Sequence, residues 1–233
     1  MSTPPGLSLP DELAWIAGES QVFADPASPF TAAVIPGAPR LAVVLGDNAS
    51  GKSLLFRVLG LRARGAGAVA VTVSIRERTG AGSDVGGMRR VMMFGDEAEQ
   101  STGATSVQVI RTAFRQLDKP QGTLLGLDEP ELGLSDGYAR ALGEYVGVQA
   151  QQVPAGCSGV LVVTHSRPLV HGLMAGYGQT PTVVFTTAAG PMPASLGEWL
   201  AGDRPRSVTE LLALTEDGLS RWRAVNALLS SDA

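Results

Sequence analysis

RLAVVLGDNASGKSLLFRVLGLR, residues 40–62, is the stretch that decides the fold. Arg40 to Leu45 is short, β-branched and apolar on both faces, which predicts a central parallel strand. Gly46 to Ser53 interrupts that strand, and from Lys52 to Arg62 the apolar residues 54, 55, 58, 59 and 61 fall at helical spacing. Between strand and helix, GDNASGKS fits the pattern G-x-x-x-x-G-K-[ST]. Each residue type there has a physical role. Glycines let backbone N–H groups turn inward around a polyanion, Lys52 places a point charge on outer phosphates, and the Ser53 hydroxyl suits Mg²⁺. The helix N-terminus adds its own positive end. Lys52 is one of only two lysines, with Lys119, and it stands at the demanded position. The candidate phosphate contacts are therefore Gly46, Asp47, Asn48, Ala49, Ser50, Gly51, Lys52, Ser53 and Leu54.

A second stretch, TLLGLDEPELGLS at 123–135, carries an apolar run into two adjacent carboxylates, Asp128 and Glu129. Desolvating even one such charge is expensive. In a nucleotide-binding α/β sheet the ligand lies beyond the carboxyl ends of the strands. A magnesium ion beside Ser53 would offset the cost of burying Asp128. Glu129, one residue on, is aimed differently and can accept the proton of a water attacking the γ-phosphate.

Apolar strands alternating with helices over the remaining chain predict an α/β domain with a mainly parallel sheet. Expected strands are Ala66 to Ile75, Arg89 to Phe94, Thr123 to Leu127, Gly159 to Thr164 and Thr182 to Thr186. Short strands and turns are expected from Gln21 to Pro36. Expected helices are Asp11 to Ala17, Ala104 to Leu117, one capped by Ser135 and running to about Gln151 with Tyr138 inward, and two short ones over Val208 to Leu229. Residues 1–10 read as a flexible tail, residues 79–87 as a flexible loop, and 11–233 as a single domain.

The formal net charge of −4 does not advertise a polyanionic partner, but the arginines are uneven. Seven lie between Arg57 and Arg90 against two acids, a segment that could touch nucleic-acid phosphates or simply form a solvated face. One cysteine, Cys157, excludes an intrachain disulfide framework. The first residues lack a secretory signal pattern, and no apolar run approaches a bilayer span, so a cytoplasmic setting is expected.

GDNASGKS, LLGLDEP and VVTHS at 162–166 resemble, in that order, the Walker A, Walker B and switch-histidine segments of the ABC-type ATPases. The resemblance covers roughly Leu41 to Ser166. The DEPE wording is closer to the soluble chromosome-maintenance, RecF-like and OLD-like ATPases than to transporter subunits. It implies a P-loop NTPase fold of ABC type, a mainly parallel central sheet flanked by helices with a small antiparallel strand region. It also implies Mg²⁺-dependent ATP hydrolysis, with Glu129 as base, His165 at the γ-phosphate, Lys52 catalytic, and Ser53 and Asp128 on the metal. In that family nucleotides are sandwiched in a dimer by a signature segment, for which Gln100 to Gly103 stands here, with Ser101 and Gly103 as contacts. ATP-dependent homodimerisation controlling a separately encoded effector, in DNA maintenance or defence, is the expected mode. Alternatives are a transporter's nucleotide-binding subunit and a non-hydrolysing nucleotide sensor. Departures are Ser135 in place of the D-loop aspartate and the absence of glutamine from Ser53 to Phe94. Phe23 or Phe30 stands where the family carries an adenine-stacking aromatic.

Overall fold

The structure, a computed structural model, describes residues 7–74, 89–90, 102–117, 122–188, 190–202 and 205–230. Helices α1 (Leu9–Gly18) and α2 (Gln21–Ala24) precede strands β1 (Thr31–Ile35) and β2 (Ala38–Leu45). Then follow α3 (Lys52–Gly65), β3 (Val69–Ser74), β4 (Arg89–Arg90), α4 (Thr102–Arg115) and β5 (Thr123–Asp128). The chain continues as α5 (Asp136–Gln151), β6 (Cys157–Thr164), α6 (Arg167–Tyr177), β7 (Pro181–Thr187), α7 (Leu196–Ala201) and α8 (Val208–Ser230). Among the described residues these strands form one sheet in the order β1-β7-β2-β6-β5-β3-β4. Every pairing is parallel except β1 with β7 at one edge.

The alternation of side chains along the strands divides the interior into two cores. Leu41, Val43 and Leu45 of β2, with Leu125, Leu127, Val160 and Val162, pack against α4, α5, α6 and α7. Ala42, Val44, Leu124, Leu161 and Val163 face the other way, against α1, α2, α3 and Val225 of α8. Central strands covered on both faces must be apolar throughout, which is why β5 is buried along its whole length.

The structure departs from the sequence-based expectations in several places. Leu9 and Pro10, assigned to the tail, open α1, and Leu9 is wholly buried against the sheet. Gln21–Ala24 is a helical turn rather than a strand. Tyr138 points to solvent, 71 % exposed, because Ala139, Leu142 and Val146 form the inward stripe of α5. The last segment is one helix of 23 residues, continuous through Gly218. Helix α6 is not among the sequence-based expectations. Pro168 opens it, Ser166 caps it by accepting the Leu169 N–H, and Gly178 closes it in the left-handed conformation. The expected loop at 79–87 and residues 91–94 of the expected strand lie outside the described residues.

Candidate active site

Strand β2 runs between β7 and β6, and its end delivers the chain into the Gly46–Gly51 loop. Within that loop Ala49 (φ 56°) and Gly51 (φ 94°) are left-handed, whereas Ser50 between them is not. Such an alternation turns successive N–H groups toward one concave side and makes an anion-binding nest. Gly46 is required by space, since a Cβ there would lie 2.5 Å from both Ser50 Oγ and the Thr186 carbonyl. The nest is braced from β7, where Thr186 Oγ1 lies 2.9 Å from Ser50 Oγ. Lys52 is buried at the start of α3, and its ammonium donates to the Gly46 and Asp47 carbonyls at 2.8 Å each. Ser53 and Leu54, in the first turn of α3, are half-buried, while Asp47 and Asn48 are exposed.

Two strands away across the sheet, about 10 Å, β5 ends at Asp128, which accepts a hydrogen bond from Ser74 Oγ at 3.3 Å and is buried. Glu129 then turns sharply. Its N–H is held by the Val163 carbonyl at 2.8 Å, and its φ of 48° is the left-handed conformation that a non-glycine residue adopts at a cost of about 1–3 kcal/mol. That turn brings the Glu129 carboxylate to the end of β6. His165, the residue after β6, places Nδ1 3.4 Å from Glu129 Oε1. Glu129 is 2 % exposed, but His165 is half open to solvent. The hydrogen bond to Glu129 raises the His165 pKa above its ordinary value, against the effect of burial, and the Lys52 charge opposes the rise. Lys52, Glu129 and His165 thus share one electrostatic environment.

Glu131 joins them, a residue outside the sequence-based candidates. It is buried, and its Oε1 accepts the Thr164 hydroxyl at 2.5 Å, while Thr164 Oγ1 accepts the Ser166 N–H at 2.9 Å. This chain ties the turn after β5 to the turn that carries His165. Burial raises the Glu131 pKa, with the Thr164 hydrogen bond pulling the other way. The one signal available in the sequence is the acid directly after Pro130, in DEPE.

Helices α3 and α6 leave the adjacent strands β2 and β6 for opposite faces of the sheet, as their separate cores show. That divergence opens a crevice at the strand ends, the place where ligands bind in open parallel sheets. The phosphate loop follows β2 and His165 follows β6 at this place, and Asp128 and Glu129 stand at the end of the next strand, β5.

Other expected residues are placed differently. Ser101 lies outside the described residues, and Gly103 falls in the first turn of α4. Ser135 precedes α5 without a side-chain cap bond. Phe23 and Phe30 are buried side by side, ring centroids 6.3 Å apart, under Gly51. In the arginine-rich segment Arg62 pairs with Glu12 at 2.5 Å and stacks on Trp15, so it is committed to the fold. Arg57 is exposed beside the phosphate loop, and Arg76 and Arg78 lie outside the described residues.

Helix α8 crosses the outer side of the loop, where Arg221 donates to the Ala49 carbonyl at 3.1 Å and Arg206 pairs with Asp47. Among the described residues no cluster of three or more His, Cys, Asp or Glu could cage a metal, and no helix is long and apolar enough to cross a membrane. A hard cation held by one carboxylate, one hydroxyl and substrate oxygens needs no such cage, so Ser53 and Asp128 fit Mg²⁺. No protein-family model, curated protein or solved structure matches the chain.

Proposed function

We propose that the protein is an ATPase of ABC type that binds ATP on the Gly46–Ser53 loop and hydrolyses it. The observation that supports this reading is that an alternating-handed N–H nest with a buried lysine follows β2, while a buried, left-handed Glu129 follows β5, at the same edge of the parallel sheet. The nest N–H groups and the α3 N-terminus receive phosphate oxygens. Lys52 exchanges its two carbonyl acceptors for the outer phosphates. Ser53 and Asp128 would hold Mg²⁺, which when bound neutralises charge on the phosphates. A water oxygen attacks the γ-phosphorus, the bond from that phosphorus to the β-γ bridging oxygen breaks, ADP leaves, and the water's proton passes to Glu129. His165 gives up Glu129 for the γ-phosphate, and Glu131 positions the turn on which His165 sits. In this reading a second copy closes over the nucleotide through its Ser101–Gly103 segment, and the closed dimer acts on a separate effector.

Calorimetric titration with ATP and Mg²⁺ tests the binding half. The native chain should bind in the micromolar range, about −8 kcal/mol. Lys52→Ala should lose measurable binding, and a native-like circular dichroism spectrum of the variant separates that loss from misfolding. Equal affinity in the variant would remove the loop from the reading.

A further inference from the structure

Beside the phosphate loop lies a cavity walled by Asn48 to Leu54 on one side and by Phe30, Arg57, Gly218 and Trp222 on the others. It shares the whole nest and the first turn of α3, yet none of the residues 128–131 or 164–166 lines it. A triphosphate whose terminal phosphate faces Glu129 and His165 must send its nucleoside out at the end of the loop away from them. This cavity spans the nest and extends from it to α8, on a side that none of those residues lines. A second cavity touches the loop only at Gly46 and Asp47, and its tryptophan, Trp199, is already stacked against Arg167.

Trp222 is suited to an aromatic guest. It is 45 % exposed, so its ring is not consumed by the core. One turn before Trp222 stands Gly218, where an added Cβ would meet nothing within 4 Å, so the cavity wall beside the indole carries no side chain that fills the space. Arg221, the neighbouring residue, is tied to the Ala49 carbonyl, which fixes α8 to the nest. Phe30, buried under Gly51, forms the apolar floor.

We infer that Trp222 is the surface on which the base of the bound nucleotide stacks, so that α8, from the far end of the chain, completes the nucleotide site. This rests on the ATP reading above. It departs from a stacking residue upstream of the loop, since Phe23 and Phe30 are both held in the core.

The test compares Mg-ATP with Mg-tripolyphosphate, which has the phosphates and no base. Trp222→Ala should weaken ATP by about 5- to 100-fold and leave tripolyphosphate unchanged, while Trp222→Phe should restore most of the ATP affinity. Trp199→Ala should change neither ligand. Unchanged ATP affinity in Trp222→Ala would overturn the inference, as would an equal loss for both ligands, which would mark a structural role. A native chain that binds tripolyphosphate as tightly as ATP has no base seat, and the inference falls while the phosphate loop stands. A native chain that binds neither removes the ATP reading and the inference together.

Discussion

Replacing Glu129 by glutamine is expected to lower ATP turnover by about 100- to 10,000-fold while leaving nucleotide binding intact. Glutamine has the shape of glutamate and keeps an oxygen to accept from His165, so the left-handed turn and the Val163 hydrogen bond persist. What it lacks is an oxygen that can take up a proton. With hydrolysis blocked, the variant should accumulate in the ATP-closed dimer, seen as a doubling of mass by light scattering. Unchanged phosphate release would show that another group is the base.

The same substitution has a pH signature. His165 is raised above its ordinary value of 6.5 first of all by its hydrogen bond to Glu129. A raised histidine contributes stability that is full below 6.5 and is lost as pH climbs through the raised value. The stability of the native chain relative to Glu129→Gln should therefore be greatest in acid and shrink with rising pH, read from urea midpoints. The contribution is small because His165 is half open to solvent. A difference that is constant with pH would contradict the pairing.

Gly172→Leu is expected to abolish cooperative folding. Helices α5 and α6 meet through two glycine pairs, Gly143 with Gly147 and Gly172 with Gly176, each four residues apart. A Cβ at Gly172 would fall 2.0 Å from the Arg140 carbonyl, and one at Gly143 would fall 2.1 Å from the Leu169 carbonyl. The obstructing atoms are backbone, so no rotamer change relieves the clash and the helices must separate. Inserting atoms into a packed core costs about 1–3 kcal/mol even where side chains can adjust. Here separation would also uncover Leu142, Val146, Leu169 and Leu173. The crossing matters for the site because α5 and α6 follow the turns bearing Glu129 and His165. Circular dichroism melts should show no cooperative transition for Gly172→Leu. Gly137→Ala, where an added Cβ meets nothing within 4 Å, should stay within about 0.5 kcal/mol of the native chain. A native-like melt for Gly172→Leu would refute the close crossing.

The parts of the molecule that were readable in advance are those in which local chemistry forces the residue type. The nest needs a left-handed glycine at 51 and no side chain at 46, so its pattern survives in the sequence. Strands β2, β5 and β6 are covered on both faces and therefore read as unbroken apolar runs. Helix α6 was invisible because Gly172 and Gly176, which weaken a helix in isolation, are there for a tertiary approach. Leu9 looked like tail because its burial depends on a sheet formed by residues far along the chain. Glu131 escaped for the same reason, since its partner Thr164 lies 33 residues away. The seat of α8 over the loop is equally hidden, because it depends on Arg206 meeting Asp47 and Arg221 meeting the Ala49 carbonyl, far apart in the chain.

The central claim is that a metal-bound triphosphate occupies the crevice between the nest and the acids. Crystals of Glu129→Gln grown with a non-hydrolysable ATP analogue and Mn²⁺, measured for anomalous scattering, test it most directly. The claim requires phosphate oxygens against the N–H groups of residues 49–53 and a manganese peak between Ser53 and Asp128. Analogue bound elsewhere with the loop bare, or manganese remote from Asp128, would contradict it.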